Sequence, residues 1–472
     1  MNNLEYRTAQ HAQGGLLVMA NVPGVAAGSR VVVKDHAGRE RSGLVIRTSA
    51  EAVLVQVFEG VEALDLERTW VRFLDKPFAL TVSPGLLGRV FNGAGQPRDG
   101  LPPLWAVAGQ AAQRDLHGAP LNPVARAYPR EFIQTGISAI DGMNALVRGQ
   151  KLPIFSGGGL PHNRVAAQIV RQARLLGEAE ADFVVVFAAF GVSHADARFF
   201  EESFAESGVL GRVVMFLNLA DEPVIERLLT PRAALTAAEY LAFEQHRHVL
   251  VVMTDMTAYA EALREVAVLR GDVPARKGYP GYLYSDLAEI YERAGRIKNR
   301  RGSITLIPVL SMPSDDITHP IPDLTGYITE GQIVLGRELF NQGVYPPVTV
   351  LPSLSRLMKD GIGKNFTRDD HPHVASQLFA TYAKALEVRG LAAIIGAEEL
   401  SDADRRYLQF AEAFEGRFIG QGEDENRSIA ETLDLAWDLL SMLPSSLLIR
   451  VSEEELAQHY RNIENPSPAA ET

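Results

Sequence analysis

The middle of the chain, from about residue 131 to residue 347, alternates short apolar runs with segments of helical periodicity. These runs lack the polar alternation of a half-exposed strand, so each predicted strand must be covered on both faces. Such strands, separated by helices, predict a mostly parallel α/β sheet whose ligands bind at the carboxyl ends of the strands. The strand and helix pairs are 152–155 with 165–176, 183–190 with 195–206, 213–217 with 223–229, and 249–253 with 259–269.

Residues 15–75 contain short β-rich runs separated by turn residues, which predict a small β-barrel or sandwich. A connector rich in proline and glycine follows between residues 83 and 123. We therefore predict a multidomain α/β protein with an N-terminal β-barrel over residues 1–75 and a central nucleotide-binding-type domain over residues 76–350. The β-rich runs are 16–19, 31–33, 44–46, 53–58 and 70–73.

The last third of the chain has helical periodicity. A Pro-rich stretch from Tyr345 to Pro352 predicts a hinge before a C-terminal helical bundle over residues 351–464, and residues 465–472 are predicted to be a disordered tail. Three helix starts carry capping boxes, in which a serine and a carboxylate satisfy the free N–H groups of the first turn. They pair Ser401 with Asp404, Ser428 with Glu431, and Ser452 with Glu455.

The charge of the 472-residue chain narrows the classes of function. A balance of 46 Lys and Arg against 58 Asp and Glu gives a net charge of −12, which disfavours direct contact with nucleic acids and anionic lipids. The sequence has no cysteine, which excludes thiolate chemistry and suits the cytoplasm. The longest apolar run, 183–192, has about half of the roughly 20 residues that a membrane span requires. The N-terminus lacks a signal-peptide pattern, so we expect membrane attachment only through partners.

A glycine-rich turn follows the strand at 152–155 and leads into a helix, where an α/β nucleotide-binding protein carries its phosphate loop, G-x-x-x-x-G-K-[ST]. Each diagnostic position differs: a proline removes one N–H from the cradle, an imidazole replaces the lysine, and an amide replaces the hydroxyl that binds magnesium. An ordinary strand-to-helix turn is the alternative interpretation. The residues of this degenerate phosphate loop are Ser156, Gly157, Gly158, Gly159, Pro161, His162 and Asn163.

A second strand, Val249 to Met253, ends close to Asp255 in the form of a Walker B strand, whose aspartate directs magnesium. A catalytic protein of this kind also needs a carboxylate after the strand at 183–190 to orient water, but Val192 stands there. The two features together indicate a nucleotide-binding scaffold that has lost its chemistry.

Three further patterns are weaker. The segment 191–195, Gly-Val-Ser-His-Ala, lacks one glycine of the nucleophile elbow of α/β serine hydrolases. His371 and His373 could ligate a metal, but a polar loop before a helix is the simpler interpretation, and we predict no metal site. The segment 93–95, Gly-Ala-Gly, lacks the third glycine and the helix of a dinucleotide fingerprint.

Six segments together give the chain a specific resemblance over nearly its whole length. It resembles the non-catalytic B subunits (beta chains) of V-type and archaeal A-type rotary ATPases. The resemblance implies a ring of six in which this chain alternates with a catalytic A subunit, with ATP or ADP and magnesium held mainly by the A subunit and no cofactor of its own. The segments are 121–126, 132–138, 151–157, 279–282, 323–332 and 352–357.

The resemblance also assigns roles to residues. It implies that Arg356 is an arginine finger that reaches the neighbour's ATP site, with Tyr327 and Glu330 at the same interface. It further implies that the N-terminal strands form a collar that contacts the peripheral stalks. The acidic turn after residue 394 is expected to contact the central stalk through Glu398, Glu399, Asp402 and Asp404.

Such a subunit would couple ATP synthesis or hydrolysis to ion transport from the cytoplasmic side of a membrane. The rival hypothesis is a self-sufficient catalytic ATPase of the flagellar or secretion type, which would need a lysine at position 162 and a carboxylate near position 192; His162 and Val192 stand there. The sequence leaves open the direction of the reaction, the choice between protons and sodium ions, and the A-type or V-type label.

Overall fold

The computed structural model describes residues 5–74, 78–107, 111–177 and 182–461. The tail predicted for residues 465–472 and the first four residues of the predicted β-barrel lie outside this range. Within it, no helix combines the length and the apolar character needed to cross a bilayer.

The N-terminal part forms one antiparallel sheet of seven strands in the order β1-β7-β4-β5-β6-β3-β2. The two edge strands are consecutive in the chain, so the sheet must curl until its edges approach each other. The predicted barrel is confirmed in this form, with the ladder open between β1 and β2. These two strands contain few apolar residues, and the sequence pattern missed them. The strands are β1 (Glu5–Tyr6), β2 (Ala9–Gln13), β3 (Leu16–Ala20), β4 (Arg30–Lys34), β5 (Glu40–Thr48), β6 (Ala52–Val57) and β7 (Trp70–Leu74).

A ten-stranded sheet and its helices form the centre of the molecule, with a two-stranded and a three-stranded sheet beside it. The strands are β8 (Ala79–Val82), β9 (Val90–Asn92), β10 (Ala112–Asp115), β11 (Arg126–Ala127), β12 (Phe132–Gln134), β13 (Leu146–Val147), β14 (Ile154–Gly157), β15 (Arg174–Leu175), β16 (Phe183–Val192), β17 (Val213–Leu219), β18 (His248–Thr254), β19 (Gly295–Ile297), β20 (Ser303–Met312), β21 (Gly331–Leu335) and β22 (Val348–Ser355). The helices are α1 (Leu104–Val107), α2 (Ser138–Asp141), α3 (His162–Gln172), α4 (His194–Glu206), α5 (Val224–Glu239), α6 (Met256–Arg270), α7 (Leu283–Tyr291), α8 (Pro320–Ile328), α9 (Arg337–Asn341) and α10 (Met358–Gly361).

The main path of the large sheet runs β22-β21-β14-β20-β18-β16-β17-β9. All of its ladders are parallel except the one between β21 and the edge strand β22. The mostly parallel sheet is therefore confirmed. Because β14 lies between β20 and β21, the segments that follow these three strands meet at one edge of the sheet.

Strand β16 shows why the strands lack polar alternation. Its residues Val185 and Phe187 belong to one apolar core, which includes Phe200 of α4. The intervening Val184 and Val186 belong to a second core on the opposite face, formed with α5, α6 and α7. Since both faces are covered, neither set of alternate residues can be polar.

The C-terminal helices pack against the first of these cores. A column of stacked rings joins Phe410 of the second helix to Phe414 and Phe418 of the π-helical turn that continues it, with centroids 5.6 Å and 5.0 Å apart. The same core contains residues of α3 and α4, so the helical region and the central sheet share one apolar interior. The helices are α11 (His371–Ile395), α12 (Asp402–Ala413), α13 (Ile429–Leu440) and α14 (Glu453–His459).

The structure differs from the prediction at the Pro-rich hinge. Residues 348–355 are the edge strand β22, paired with β21, and the predicted boundary between residues 350 and 351 falls inside it. Pro352 lies where the ladder is irregular, at an edge where a missing N–H is tolerated. The domain boundaries themselves stay a prediction.

The capping boxes are confirmed at Ser428 and Ser452, where serine and glutamate bond each other's backbone N–H groups. At Ser401 the serine accepts from the N–H of Asp404, but the Asp404 carboxylate accepts from the serine hydroxyl, 2.6 Å away.

His371, the first residue of α11, is fully buried where the helical region meets the centre of the molecule. Its Nε2 donates to the carbonyl of Gly142 (3.1 Å), and its Nδ1 accepts from the hydroxyl of Thr367 (3.0 Å). The ring is therefore neutral, and burial lowers its pKa from 6.5 to about 4.

We expect the folded protein to lose stability below pH 6.5 because of this histidine. Its pKa is lower in the folded protein than in the unfolded chain, so the unfolded chain binds more protons as the pH falls toward 4. Above pH 6.5 this histidine does not reduce the free energy of unfolding. Lowering the pH from 7 to 5 should reduce the free energy of unfolding by about 2 kcal/mol through this group. Urea unfolding at both pH values should show a smaller loss for His371→Gln, while His11→Gln, at an exposed site, should behave as wild type. Equal pH dependence of His371→Gln and wild type would contradict the assignment.

Candidate functional site

The degenerate phosphate loop joins β14 to α3 and is closed by its own hydrogen bonds. The N–H of Leu160 donates to the carbonyl of Gly157 (3.2 Å), and the N–H of His162 donates back to the carbonyl of Leu160 (2.9 Å). Pro161 contributes no N–H, and the His162 ring lies 3.2 Å from the Ser156 hydroxyl. Two backbone N–H groups of the loop are thus bound within the loop itself, and a third is missing at Pro161.

Asp255, the Walker B-like residue, lies at the carboxyl end of β18 and caps α6. Its carboxylate accepts from the N–H of Thr257 (2.8 Å) and from the N–H of Ser311 (3.1 Å). Asn163, at the position of the magnesium-binding hydroxyl, accepts from Thr254 beside it (3.2 Å). The structure brings the loop and the aspartate strand together, with these polar groups bonded to protein atoms.

The serine-hydrolase pattern does not form a triad. Ser193 caps α4 and donates to the carboxylate of Asp196, 2.6 Å away. His194 instead contacts Asp221 (3.0 Å), and Val192 is buried. Because the serine and the histidine have different partners, the histidine is not placed to activate the serine.

The metal hypothesis for the histidine pair also finds no geometric support. His373 bonds Glu455 (2.8 Å), and both ring nitrogens of His371 have protein partners. No group of three or more metal-ligating side chains occurs among the residues that the structure describes. The turn 93–95 folds back so that Phe91 and Pro97 form a β-bridge, and residues 96–103 directly after it contain no helix.

Arg356 lies immediately after the edge strand β22. Burial alternates along this strand, with Ser353 and Ser355 buried and Leu354 and Arg356 exposed. The N–H of Arg356 donates to the carbonyl of Glu330 (3.0 Å), which fixes the backbone. Within the described parts of the chain, the guanidinium has no hydrogen bond or ion pair, so it is available to a group outside this chain.

A chain of ion pairs holds the segment that carries Arg356. Lys151 lies 2.9 Å from Glu330 and 3.0 Å from Glu292. Glu330 also accepts from the N–H of Lys151 (2.7 Å), and Glu292 pairs with Arg126 (2.5 Å). The lysine side chain is only 4% exposed, so its charge depends on these two carboxylates. Glu330 therefore positions the backbone next to Arg356, and its carboxylate oxygens are already bound by lysine.

Close backbone packing completes this region. Gly331 has φ +135°, and a Cβ at this position would lie 1.9 Å from the carbonyl oxygen of Leu354. Only glycine allows the two strands to approach so closely just before Arg356. Tyr327, at the end of α8, is 74% exposed.

Arg356 lies at the amino ends of the parallel strands of the large sheet, and the phosphate loop of the same chain lies at their carboxyl ends. The parallel ladder pairs Ile154 with Ile333, which puts Glu330 near the amino ends of these strands and Gly157 at a carboxyl end. About six residues of strand separate the two levels, or roughly 20 Å at 3.3 Å per residue. Arg356, bonded to Glu330, therefore lies far from the loop of its own chain.

The acidic turn joins α11 to α12 at one end of the helical region. Glu398 and Glu399 lie in a short 3-10 helix, and Asp402 begins α12; all three are exposed. Ile394, in the last turn of α11, is 83% exposed. The tip thus presents carboxylates next to an apolar side chain. Asp404, half-buried in the first turn of α12, completes the predicted set.

The predicted residues form three separate groups: the loop with Asp255, the segment around Glu330 and Arg356, and the acidic turn. Sequence reasoning missed the pairing of Lys151. Its position directly before a buried strand was the available signal, since a buried charge needs a partner. It also missed Asp315 and Arg337, an ion pair that lies against the loop.

Two models of known protein families match this chain. Residues 136–355 match the model of the ATP synthase alpha/beta family, nucleotide-binding domain. Residues 360–460 match the model of the C-terminal domain of V and A type ATP synthase.

Relatives match over almost the full length. The V-type ATP synthase beta chain of Nitrosococcus oceani is 72% identical, covering 98% of this chain and 95% of the relative. The B subunit of the A-type ATP synthase of Aeropyrum pernix is 59% identical, with 97% of each chain covered. The structure of the ATP synthase subunit NeqB from Nanoarcheaum equitans aligns with a TM-score of 0.72 at 40% identity, covering 88% of this chain and 98% of that one.

Replacing Lys151 by methionine should destabilise the chain, because Glu292 and Glu330 would lose the cation that they share in a half-buried site. We expect a loss of roughly 2 kcal/mol in the free energy of unfolding, reduced from a fully buried case by the partial exposure of both carboxylates. Lys298→Met, at an exposed lysine, serves as the matched control and should change stability by less than about 0.5 kcal/mol. Urea unfolding of the full-length variants measures both. Equal stabilities of the two variants would contradict the importance of the ion pairs.

Proposed function

Since the chain belongs to the beta (B) subunit family of V-type and A-type ATP synthases, we propose that it is the non-catalytic subunit of the soluble head. In this proposal it alternates with the catalytic A subunit in a ring of six. It lends Arg356 to the ATP site at the interface and so takes part in coupling ATP synthesis or hydrolysis to ion transport.

The observation that carries the proposal is the position of Arg356. The residue is exposed, its guanidinium has no partner among the described residues, and its own phosphate loop lies roughly 20 Å away at the other edge of the sheet. A cation held firmly by its backbone but free at its tip is suited to a phosphate group that another chain holds. Exposed Leu354 and Tyr327 lie in neighbouring segments and would form part of the same interface.

The chemistry of the guanidinium fits this task. It stays charged at all relevant pH values, and its planar fork matches two phosphate oxygens. Charge spreads over the oxygens of the transferred phosphoryl group in the transition state, where a trans-acting arginine has its largest effect. The A subunit would hold most of the ATP or ADP and the magnesium. Glu330 would support the arginine through the backbone.

The state of the chain's own loop supports a non-catalytic role over the rival catalytic ATPase. His162 replaces the lysine that balances the phosphates, and Val192 replaces the carboxylate that would orient water. The bonds of Asn163 and Asp255 to protein groups leave magnesium without its usual ligands.

The other contacts follow from the same family membership. The acidic turn would contact the central stalk, and the N-terminal sheet would join its neighbours in a collar that contacts the peripheral stalks. The chain would then be cytoplasmic and peripheral to the membrane through the assembled complex, without contact with nucleic acid.

Replacing Arg356 by alanine in a reconstituted ring should nearly abolish ATP hydrolysis while nucleotide affinity changes far less. Trans-acting arginines contribute on the order of 10³–10⁵ in rate, and their contact strengthens in the transition state. Arg356→Lys should restore only part of the activity, because one ammonium group does not reproduce the two-pronged geometry. Steady-state hydrolysis and parallel nucleotide titrations on intact rings measure both effects.

Lys359→Ala is the matched control for the arginine, since it removes an exposed positive charge three residues further along the chain. It should leave hydrolysis within about twofold of wild type. Hydrolysis by the Arg356→Ala ring within about threefold of wild type would remove Arg356 from the mechanism.

Neutralising the acidic turn should weaken binding of the central stalk and leave the ring assembled. The variant changes Glu398 and Glu399 to glutamine and Asp402 and Asp404 to asparagine, which keeps side-chain size and removes charge. Gel filtration measures ring assembly, and co-purification measures stalk binding. A control variant with glutamine at Glu453 and Glu454, an exposed acidic pair in the first turn of α14, should retain the stalk. Dissociation of the ring itself would show that the turn is an assembly contact instead.

A further inference from the structure

Two segments from neighbouring strands meet over the degenerate phosphate loop. In the sheet, β14 pairs with β20 on one side and with β21 on the other. The chain leaving β20 carries Asp315, and the chain leaving β21 begins α9 with Arg337. Parallel strands end at the same edge, so both side chains can reach the loop that follows β14.

These side chains form an ion pair directly against the loop. Arg337 bonds both carboxylate oxygens of Asp315, at 2.6 Å and 2.8 Å, and also donates to the carbonyl of Gly158 (2.9 Å). A Cβ on Gly157 would lie 2.0 Å from the nearer Asp315 oxygen. The carboxylate thus occupies space that only a glycine at position 157 leaves open.

The backbone holds Asp315 in this place at some conformational cost. Ser314 and Asp315 have φ values of +58° and +56°, in the left-handed region that non-glycine residues seldom adopt. The hydrogen bond and charge of Arg337 lower the pKa of Asp315 below its ordinary value. The group at the loop is therefore a fixed negative charge at neutral pH.

A second contact joins Tyr345 to α3, the helix that follows the loop. Arg164, in the first turn of α3, lies over the Tyr345 ring, 5.6 Å from its centroid, and donates to Glu423 (2.9 Å). The Tyr345 hydroxyl donates to Gln168 of the same helix (3.0 Å). One face of the ring is thus covered by a guanidinium.

We propose that the degenerate loop is a phosphate-binding site closed from within, in which the Asp315 carboxylate stands in place of a phosphate group and Arg337 is the cation that would hold one. The loop takes a polyphosphate when the charge of Asp315 is removed. This inference concerns the chain's own loop and does not depend on Arg356.

The strength of the ion pair and the strength of the charge repulsion indicate what keeps the loop closed. Both side chains are more than 40% exposed, and an ion pair between exposed side chains contributes little to stability, so breaking the pair alone is a small obstacle. The larger obstacle is the repulsion between Asp315 and an incoming phosphate a few ångströms away. Neutralising Asp315 is therefore the change that should open the site, and asparagine also tolerates a positive φ.

The test measures binding of tripolyphosphate and of Mg-ATP to the full-length chain by titration calorimetry. Asp315→Asn should bind tripolyphosphate roughly tenfold more tightly than wild type, since one repulsive charge is gone and Arg337 is released. Asp316→Asn is the matched control: it neutralises the next residue, whose partner Lys277 belongs to another segment, and should behave as wild type. Adding Arg337→Gln to Asp315→Asn should abolish the gain.

Several results would overturn the proposal. One is equal affinity of wild type and Asp315→Asn for tripolyphosphate. Another is that the tighter binding of Asp315→Asn persists when Arg337 is also replaced. A gain confined to Mg-ATP would show that the nucleoside or the magnesium ion, and not the phosphates alone, is recognised. Thermal melting of each variant confirms that it is folded before titration. Since no catalytic subunit is present, these results are separate from the outcome for Arg356 in the ring.

Discussion

Burial of the central sheet on both faces is the constraint on which the rest of the molecule depends. Alternate residues of β16 fill two different apolar cores, so the functional groups cannot lie on the faces and are left at the two edges. The loop, Asp255, Asp315 and Arg337 lie at the carboxyl ends of the parallel strands. Lys151 and Glu330 lie at the amino ends of these strands, and so does Arg356, because β22 is antiparallel to them. One sheet thus carries the degenerate loop at the carboxyl ends of its parallel strands and Arg356, an exposed cation, at their amino ends.

The sequence predicted this sheet well because unbroken apolar runs have few other uses in a globular protein. It failed where the local pattern is weak or misleading. The strands β1 and β2 contain few apolar residues, and prolines at 346, 347 and 352 suggested a hinge where β22 pairs at an edge. Burial of an edge strand depends on its neighbours, which a local pattern does not contain.

The candidate site was predicted unevenly for a related reason. The degenerate loop is contiguous, so its altered residues are visible in the sequence, whereas Arg356 was identified through its resemblance to a family. The partners that complete each site are distant in the chain. Lys151 meets Glu292 and Glu330, and Gly157 meets Asp315, only because the sheet order brings them together. Pairing across such separations follows from topology and not from spacing.

The length of helix α11 determines how far its tip moves when its other end tilts. Its 25 residues form a rod about 37 Å long, anchored at one end by the buried His371 and carrying the acidic turn at the other. The anchored end is bonded to Gly142 and Thr367 and packs against Phe132 of the three-stranded sheet, which fixes its position. A tilt of about 5° at this end displaces the far end by about 3 Å. A helix of this length would therefore turn a small angular change at its anchored end into a side-chain-sized movement at its tip.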